Sequence, residues 1–448
     1  MLHPLTDSSI LRVKMKQRFI ATGLMAAMLL AVGCEKENGE EDPPTGSGLP
    51  MVCLKTPAGQ EITGRTEYVG GTSVTLVSAE GETLLQATAG VRGRGNSSWT
   101  YPPKKPYKVK FDVKQSPFGM KSNKQWALMS NYLDSTMMRN PLAFWMAREI
   151  GEFDFVPDDR LVCVSLNGDN LGMYDLTETI RLGGHRVDVG EDGYLVELDG
   201  RLAYEPEDGQ VIFYTEHQTS PFNVKDVLRG GDHIDIVEGD EDYVYIRDRI
   251  LEAEAALYGE NWLDPENGYR KYLDVQSFVE WYMVNEITMN TESDTWSSCY
   301  MHLSRSEGSR LKMGPVWDFD YAFGNRGFGQ LDDSGFTPEE LEEKYFDINH
   351  LHPRQYGWYP RLFEDPDFVQ DVVDCMNRYY DRREEIFDFI DDTAAATRKA
   401  MIATELRWGQ LTGGSTDEKV IDEAFDIKIA KLRTWLSTRL DILHGIYR

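Results

Sequence analysis

Alternating apolar and polar residues predict β-strands in the first half of the chain. Residues 50–115 consist of such stretches separated by glycine-rich turns, and the alternation is clearest at 73–77 and 107–111. Further strands are expected at 161–166, 172–180 and 194–198. Asn167 and Gly168 between the first two favour a hairpin turn. The first half is therefore expected to be β-rich.

Apolar residues recur every three or four positions in the second half, which predicts helices. One earlier helix is expected at 135–150, and the chain becomes mainly helical from about residue 240. Asp274 is placed to cap a helix, and the strongest periodicity lies at 367–391 and 417–446. The pattern indicates an α+β fold, with a cleft between the β-rich and α-rich halves.

The N-terminus has the features of an export signal. Lys14, Lys16 and Arg18 precede a short apolar run that ends just before Cys34, and the run resembles a bacterial lipoprotein signal. We therefore expect a signal peptide at 1–33, lipidation of Cys34 and an acidic flexible tether at 34–49. This predicts a lipid-anchored protein of the outer membrane or cell surface, which contacts the membrane only through its anchor.

Charge and cysteine content exclude other classes of protein. The formal net charge of −28 over 448 residues argues against nucleic acid as a partner. The four cysteines after Cys34 are scattered, which indicates neither a zinc site nor a disulfide framework. Most are expected to be buried thiols.

Asp318 and Asp320 are two carboxylates in an otherwise apolar and aromatic segment, 315–324. If the segment is a strand, both side chains lie on one face, where they need a positive partner. A divalent cation such as Mg²⁺ suits oxygen ligands, and Arg or Lys partners are the alternative. Acids this close on one strand cannot flank a sugar from opposite sides, which counts against a glycosidase.

A basic, glycine-rich segment lies far upstream of these acids. It contains two glycines and the cations Arg92, Arg94, Lys104, Lys105, Lys108 and Lys110. Glycines allow close approach of an anion, and arginine forks match phosphate oxygens. The alternative is a solvated strand with a glycine turn. A third polar segment carries Asp294 in a loop after a helix. This loop carboxylate is placed like the base of a phosphoryl-transfer enzyme, and the alternative is a polar loop that only caps the helix.

Taken together, these segments resemble the CotH kinase family. The resemblance rests on residues 92–99, 104–111, 131–140, 172–178 and 317–320, in that order. It implies an atypical protein-kinase-like fold with a β-rich N-terminal lobe, a mainly helical C-terminal lobe and ATP bound between them. It also implies phosphorylation of protein Ser or Thr with Mg²⁺. The kinase-like domain is expected at 91–446, after an N-terminal β segment at 50–90.

The resemblance also assigns roles. Lys108 resembles the strand lysine that contacts the ATP phosphates, with Lys105 and Lys110 as alternatives. Arg92 and Arg94 would bind phosphate, and Glu178 would orient the lysine.

Asp294 resembles the catalytic acid, Asp318 and Asp320 the metal ligands, and Trp317 or Tyr174 would stack on adenine. One departure matters: many family members have Asn a few residues after the loop acid, where this chain has 297–299, Ser-Ser-Cys. A catalytically weak or inactive binding scaffold is therefore the alternative to an active kinase.

Overall fold

The computed structural model describes residues 46–205, 209–325 and 347–448. The expected signal peptide, Cys34 and nearly all of the tether lie outside these ranges. No helix within them has an apolar stretch long enough to span a bilayer. Of the cysteines that the ranges contain, Cys163, Cys299 and Cys375 are buried and Cys53 is partly buried, all as free thiols.

The first half of the structure is a closed seven-stranded barrel, ordered β1-β2-β3-β4-β5-β7-β6. Its strands are β1 (Met51–Lys55), β2 (Val69–Val77), β3 (Thr83–Gly93), β4 (Tyr107–Gln115), β5 (Asn123–Met129), β6 (Asp159–Leu166) and β7 (Asp169–Glu178). The barrel closes where β1 pairs in parallel with β6, with Met51 opposite Cys163. All other pairs in the barrel are antiparallel, including β5 and β7, which are separated in the chain by α2 and β6.

The two faces of the barrel wall have different neighbours. Val109 on β4 and its cross-strand partner Trp126 on β5 belong to the apolar cluster that fills the barrel. Ala127, the partner of Lys108, instead belongs to the cluster formed with the helices. Lys108 therefore lies on the outer face, which is turned toward the rest of the protein.

A second, smaller sheet follows the barrel, in the order β11-β10-β8-β12-β13, with β9 beside β10. Its strands are β8 (Gly193–Leu198), β9 (Ile212–Phe213), β10 (Phe222–Arg229), β11 (Asp232–His233), β12 (Cys299–Ser304) and β13 (Lys312–Met313). Tyr300 of β12 pairs with Glu197 of β8, and both contribute to the site described below.

Helices make up most of the second half. In the described residues, α1 (Ser97–Thr100) and α2 (Arg139–Glu149) lie in the first half. The helices of the second half are α3 (Glu241–Tyr258), α4 (Val275–Thr288), α5 (Tyr359–Leu362), α6 (Pro366–Asp381), α7 (Arg383–Trp408) and α8 (Glu418–Ile446). Asp274 caps α4 by accepting from the Ser277 amide, as expected. The fold is thus α+β, with a β-rich first part and a helical second part. Its closed barrel differs from the open sheet usual in a kinase lobe.

Three predicted boundaries differ from the structure. The helix expected at 135–150 begins at Arg139, because the Asp134 carboxylate binds the amides of Thr136 and Arg139 in a turn before it. The helix expected at 367–391 is two helices that meet at Arg382. The segment 50–90 supplies β1, β2 and most of β3 to the same barrel as β4–β7, and β3 crosses residue 90.

Candidate functional site

The prediction that 315–324 is a strand is wrong. After β13 the segment is irregular, and Asp318 adopts a left-handed backbone with φ of 65°. Asn140 of α2 holds it in place: its Oδ1 accepts from the Phe319 amide at 2.7 Å, and its Nδ2 donates to Asp320 Oδ1 at 2.6 Å. These hydrogen bonds from a distant helix replace the ladder that a strand would need, and they still keep the two acids close together.

The loop after α4 brings a third carboxylate to the pair. Glu292 hydrogen-bonds to Asp318, and one of its carboxylate oxygens, Oε2, is buried without a hydrogen-bond partner. Asn290 anchors the loop by donating to the Asp318 carbonyl at 3.2 Å. Ser298 Oγ donates to Asp318 Oδ2 at 3.2 Å. We call Glu292, Asp318 and Asp320 the acid cluster.

Burial raises the pKa values of all three carboxyl groups of the acid cluster, and repulsion within the cluster adds to it for Glu292 and Asp320. Burial is the main cause for all three groups, and it raises the pKa of Asp320 to about 7 with help from the charges of Asp318 and Asp134. The pKa of Glu292 is raised well above its usual value, because Asp318 and Asp320 add to its burial. A cation bound here would relieve both effects.

Arg94 is the cation of the basic segment that lies next to the acid cluster. Burial lowers its pKa, and the charges of Asp318 and Asp320 oppose that effect. Its guanidinium lies 5.7 Å from the centre of the Trp317 ring and donates to the Met129 sulfur. The basic segment and the distant acids therefore meet at Arg94.

Lys108 has the properties of an anion-binding lysine. It is half-buried on β4, directly opposite Arg92 on β3. Burial lowers its pKa to about 8, and the charged groups acting on it are all cations, Arg92 and Arg94 first. It makes no hydrogen bond or ion pair with any residue in the described ranges. A phosphate group would supply the missing negative charge.

The other cations of the segment already have partners. Lys105 Nζ donates to the Trp99 carbonyl at 2.6 Å. Arg92 donates to the Gly93 carbonyl at 3.1 Å and lies over the Tyr68 ring. Lys110 is exposed and lies 5.9 Å from the centre of the same ring. Among the described residues, Lys110 also lacks a hydrogen bond or ion pair, but it is exposed to solvent. Of the three candidate lysines, Lys108 is thus the half-buried one whose charge is not met by a hydrogen bond or ion pair within the described ranges.

Glu178 lies away from Lys108. Its cross-strand partner is Trp126, so it faces the barrel interior, where it pairs with Arg186 at 2.6 Å. Both charged groups are almost completely buried. Glu178 therefore stabilises Arg186 inside the barrel and does not orient Lys108, which lies on the opposite face of the barrel wall.

The two aromatic side chains suggested for adenine are both packed. Trp317 stacks on Phe144 with ring centres 5.6 Å apart and has Arg94 beside it. Tyr174 is fully buried inside the barrel, 6.3 Å from the Tyr107 ring. Tyr174 therefore cannot stack on a ligand in this arrangement, and Trp317 can contact one only near Arg94.

Asp294 lies at the edge of the acid cluster. Burial raises its pKa to about 6, while one oxygen accepts from the Trp296 amide at 3.1 Å. It is one of the charges that raise the pKa of Glu292. A carboxylate with this pKa is mostly ionised at neutral pH and can accept a proton.

The acid cluster is suited to a hard cation in its chemistry, although its side chains are not arranged as a finished metal site. Within the described ranges, no group of three or more His, Cys, Asp or Glu side chains has the geometry of a metal site. The donors are nevertheless all oxygens, and the unpartnered Glu292 Oε2 is the kind of atom that a cation would satisfy.

Sequence reasoning missed several residues of this site. Glu292 was overlooked beside Asp294, although the spacing of Asn290, Glu292 and Asp294 was a usable signal. Asn140 lies in a segment used for the resemblance but was given no role. Glu197 raises the pKa of Asp318 and accepts from the Ser298 amide at 2.8 Å, which only the sheet pairing reveals.

Comparison with known proteins finds a family match. A family model described as CotH kinase protein matches residues 91–443, which is most of the chain. The matched region includes every residue of the site described above. No curated protein matches the chain.

Proposed function

Because the chain belongs to the CotH kinase family, we propose that it binds ATP with Mg²⁺ and transfers the γ-phosphoryl group to a Ser or Thr of a protein. The observation that carries the proposal is the approach of Arg94 to Asp318 and Asp320. It joins cations from the barrel and acids from the helical half in one place. Phosphoryl transfer depends mainly on such positioning and charge neutralisation.

The proposed roles follow the charges. Arg94 and Lys108 bind phosphate oxygens, and Lys108 gains the anionic partner that it lacks in the free protein. Asp318 and Asp320, with Glu292, hold Mg²⁺, which would neutralise phosphate charge when bound. Asp294 orients the acceptor hydroxyl and accepts its proton. The barrel would then act as the N-terminal lobe of an atypical two-lobed kinase.

The first test is thermal unfolding with and without ATP–Mg²⁺. Ligand at a hundred times its dissociation constant stabilises a protein by about 2.7 kcal/mol, so the midpoint should rise clearly. We expect the rise to disappear in Asp318→Asn and to shrink in Lys108→Ala. Lys114→Ala, an exposed change on the same strand, is the matched control and should respond like the native chain.

The outcomes of this test are distinct. A shift that persists in Asp318→Asn, or an equal loss in Lys114→Ala, would contradict the proposed site. Transfer of radiolabel from γ-labelled ATP to the protein itself or to a Ser/Thr-rich protein then tests for catalysis.

The second candidate function is a nucleotide-binding scaffold with little or no transfer activity. It is favoured by Ser298, which contacts Asp318 and lies near the position where many family members have Asn. A serine hydroxyl binds Mg²⁺ less firmly, and ATP is scarce outside the cytoplasm. Ser298→Asn separates the two: increased transfer would show a weakened kinase, whereas ATP binding without transfer in either form would favour the scaffold.

We also propose that Cys34 carries a lipid that anchors the protein to the outer membrane or cell surface. The support is the basic and apolar segment before Cys34 and the acidic tether after it. Cys34→Ala should move the protein from the membrane fraction to the soluble fraction. With a net charge of −28, nucleic acid is not proposed as a partner.

A further inference from the structure

A cavity of about 140 Å³, separate from the acid cluster, lies beside the segment that leads to it. Its walls come from residues 152–155, the beginning of α4 and the β12–β13 hairpin. One ordered water needs roughly 10–15 Å³ of such space, so the cavity has room for a small ligand. Gly314 and Pro315 line it three or four residues before Asp318.

His302 gives this cavity a specific polar feature. The side chain is 92% buried, since its exposed fraction is 8%, and it lines the cavity. Nδ1 donates to the Gly314 carbonyl at 3.2 Å, which leaves Nε2 as an acceptor. Nε2 has no hydrogen-bond partner in the described ranges, and burial lowers the pKa of the imidazole, so the ring is neutral.

The other polar groups that line the cavity also offer acceptors. One Asp274 oxygen caps α4 through the Ser277 amide at 3.3 Å, and the second makes no hydrogen bond to the described residues. Gln276 Nε2 donates to Glu280 at 2.7 Å, which leaves its carbonyl oxygen free of such a bond. The Lys312 ammonium is engaged by Asp154.

We infer that this cavity binds a small organic cation, an alkylguanidinium or alkylammonium group. Such a group has only N–H donors, which match the acceptors of His302 and Asp274. Its charge is favoured because three carboxylates, those of Glu152, Asp154 and Asp274, line the cavity together with one ammonium, that of Lys312. Its alkyl stem is favoured by the rings of Phe153 and Phe155.

The test uses agmatine, a free alkylguanidinium, and the full chain in the absence of nucleotide. The chain has eight histidines, so selective ¹⁵N labelling allows the His302 Nε2 signal to be followed by NMR. We expect a saturable shift with a dissociation constant on the order of 1 mM, given the few atoms in contact. Tetramethylammonium, which is also an organic cation but has no N–H donor, should cause no such shift.

Two variants and a control sharpen the test. Asp274→Asn keeps a good helix cap but removes the charge, and should weaken agmatine binding about tenfold. Asp154→Asn is an exposed change that should also weaken it. Asp169→Asn, an equally exposed acid with an arginine partner far along the chain, should leave it unchanged.

The outcomes decide the inference. Saturable agmatine binding that weakens in Asp274→Asn and not in Asp169→Asn supports it. A parallel titration with the peptide Gly-Arg-Gly shows whether a side chain of another protein can supply the same group. No saturable shift would mean that the cavity binds no such cation, and an equal response to tetramethylammonium would mean that the N–H donors are not recognised; either result would overturn the inference. Because no ATP is present, this failure is separate from a failure of the proposed function.

Discussion

Asp320→Asn tests whether the ionised carboxylate of Asp320, buried in the acid cluster, lowers the stability of the folded protein. The folded protein raises the pKa of Asp320 from 3.8 to about 7, so ionised Asp320 destabilises the fold above that pH. Stability linked to this group is greatest below pH 3.8 and is lost as the pH rises through about 7. The difference corresponds to at most about 4 kcal/mol at pH 8.

Asparagine removes the charge and keeps the hydrogen bond, because its amide oxygen can accept from Asn140 as the carboxylate does. We therefore expect Asp320→Asn to unfold at a higher temperature than the native chain at pH 8, by about 1–4 kcal/mol of added stability. At pH 5 the carboxyl is protonated in the fold but mostly ionised in the unfolded chain, so the gain should fall to less than half of its value at pH 8, and it should vanish only below pH 3.8. Stability gained by removing a functional charge is a common trade-off with activity.

The assay is thermal unfolding in EDTA at pH 5 and pH 8. Asp169→Asn, an exposed acid that pairs with Arg407, serves as the control and should show no pH-dependent gain. In the same variant series, ATP–Mg²⁺ should stabilise the native chain and not Asp320→Asn. Equal midpoints at pH 8, or a gain of the same size at both pH values, would refute the explanation by burial of the charge and repulsion from its neighbours.

Two further predictions concern stability away from the acid cluster. Arg439→Met should destabilise the protein by about 3–5 kcal/mol in urea unfolding, because it leaves the buried Glu286 without its ion-pair partner. The exposed change Arg433→Met on the same helix is the control and should cost less than about 1 kcal/mol. Similar losses in the two variants would contradict the role of burial. Burial lowers the pKa of His352 from 6.5 to about 4, so folding opposes protonation of this side chain. The free energy of unfolding should therefore decrease by roughly 3 kcal/mol as the pH falls from 6.5 to 4. His352→Gln should flatten this part of the unfolding profile, and an unchanged slope would exclude His352 as its source.

The strands and helices that were predicted well are those that local pattern specifies. Asn167 and Gly168 both have positive φ and form the β6–β7 turn, and the stripe from 417 to 446 is a single helix, α8. Both depend on residues within a few positions of one another. Closure of the barrel could not be predicted in the same way, because β1 finds β6 across more than a hundred residues and no periodicity encodes that pairing.

The site shows the same division. Alternation and composition identified Asp318, Asp320 and the basic segment as unusual, and the resemblance placed them in one pocket. It could not tell that Arg94, rather than Lys108, lies beside the acids, because that depends on where β3 ends. It also could not tell that 315–324 is irregular, because Asn140 fixes it from another element. Glu178 was misplaced for a similar reason: only the register reveals which face of the barrel it occupies.

The closing strand of the barrel has a practical consequence for cutting the protein into pieces. The family match starts at residue 91, inside β3, whereas β1 holds both β2 and β6. A fragment trimmed to the matched boundary would lose two strands and part of a third, leaving unpaired edges that invite aggregation. The smallest piece expected to behave as a soluble unit therefore begins near residue 50, some forty positions before the recognisable signature.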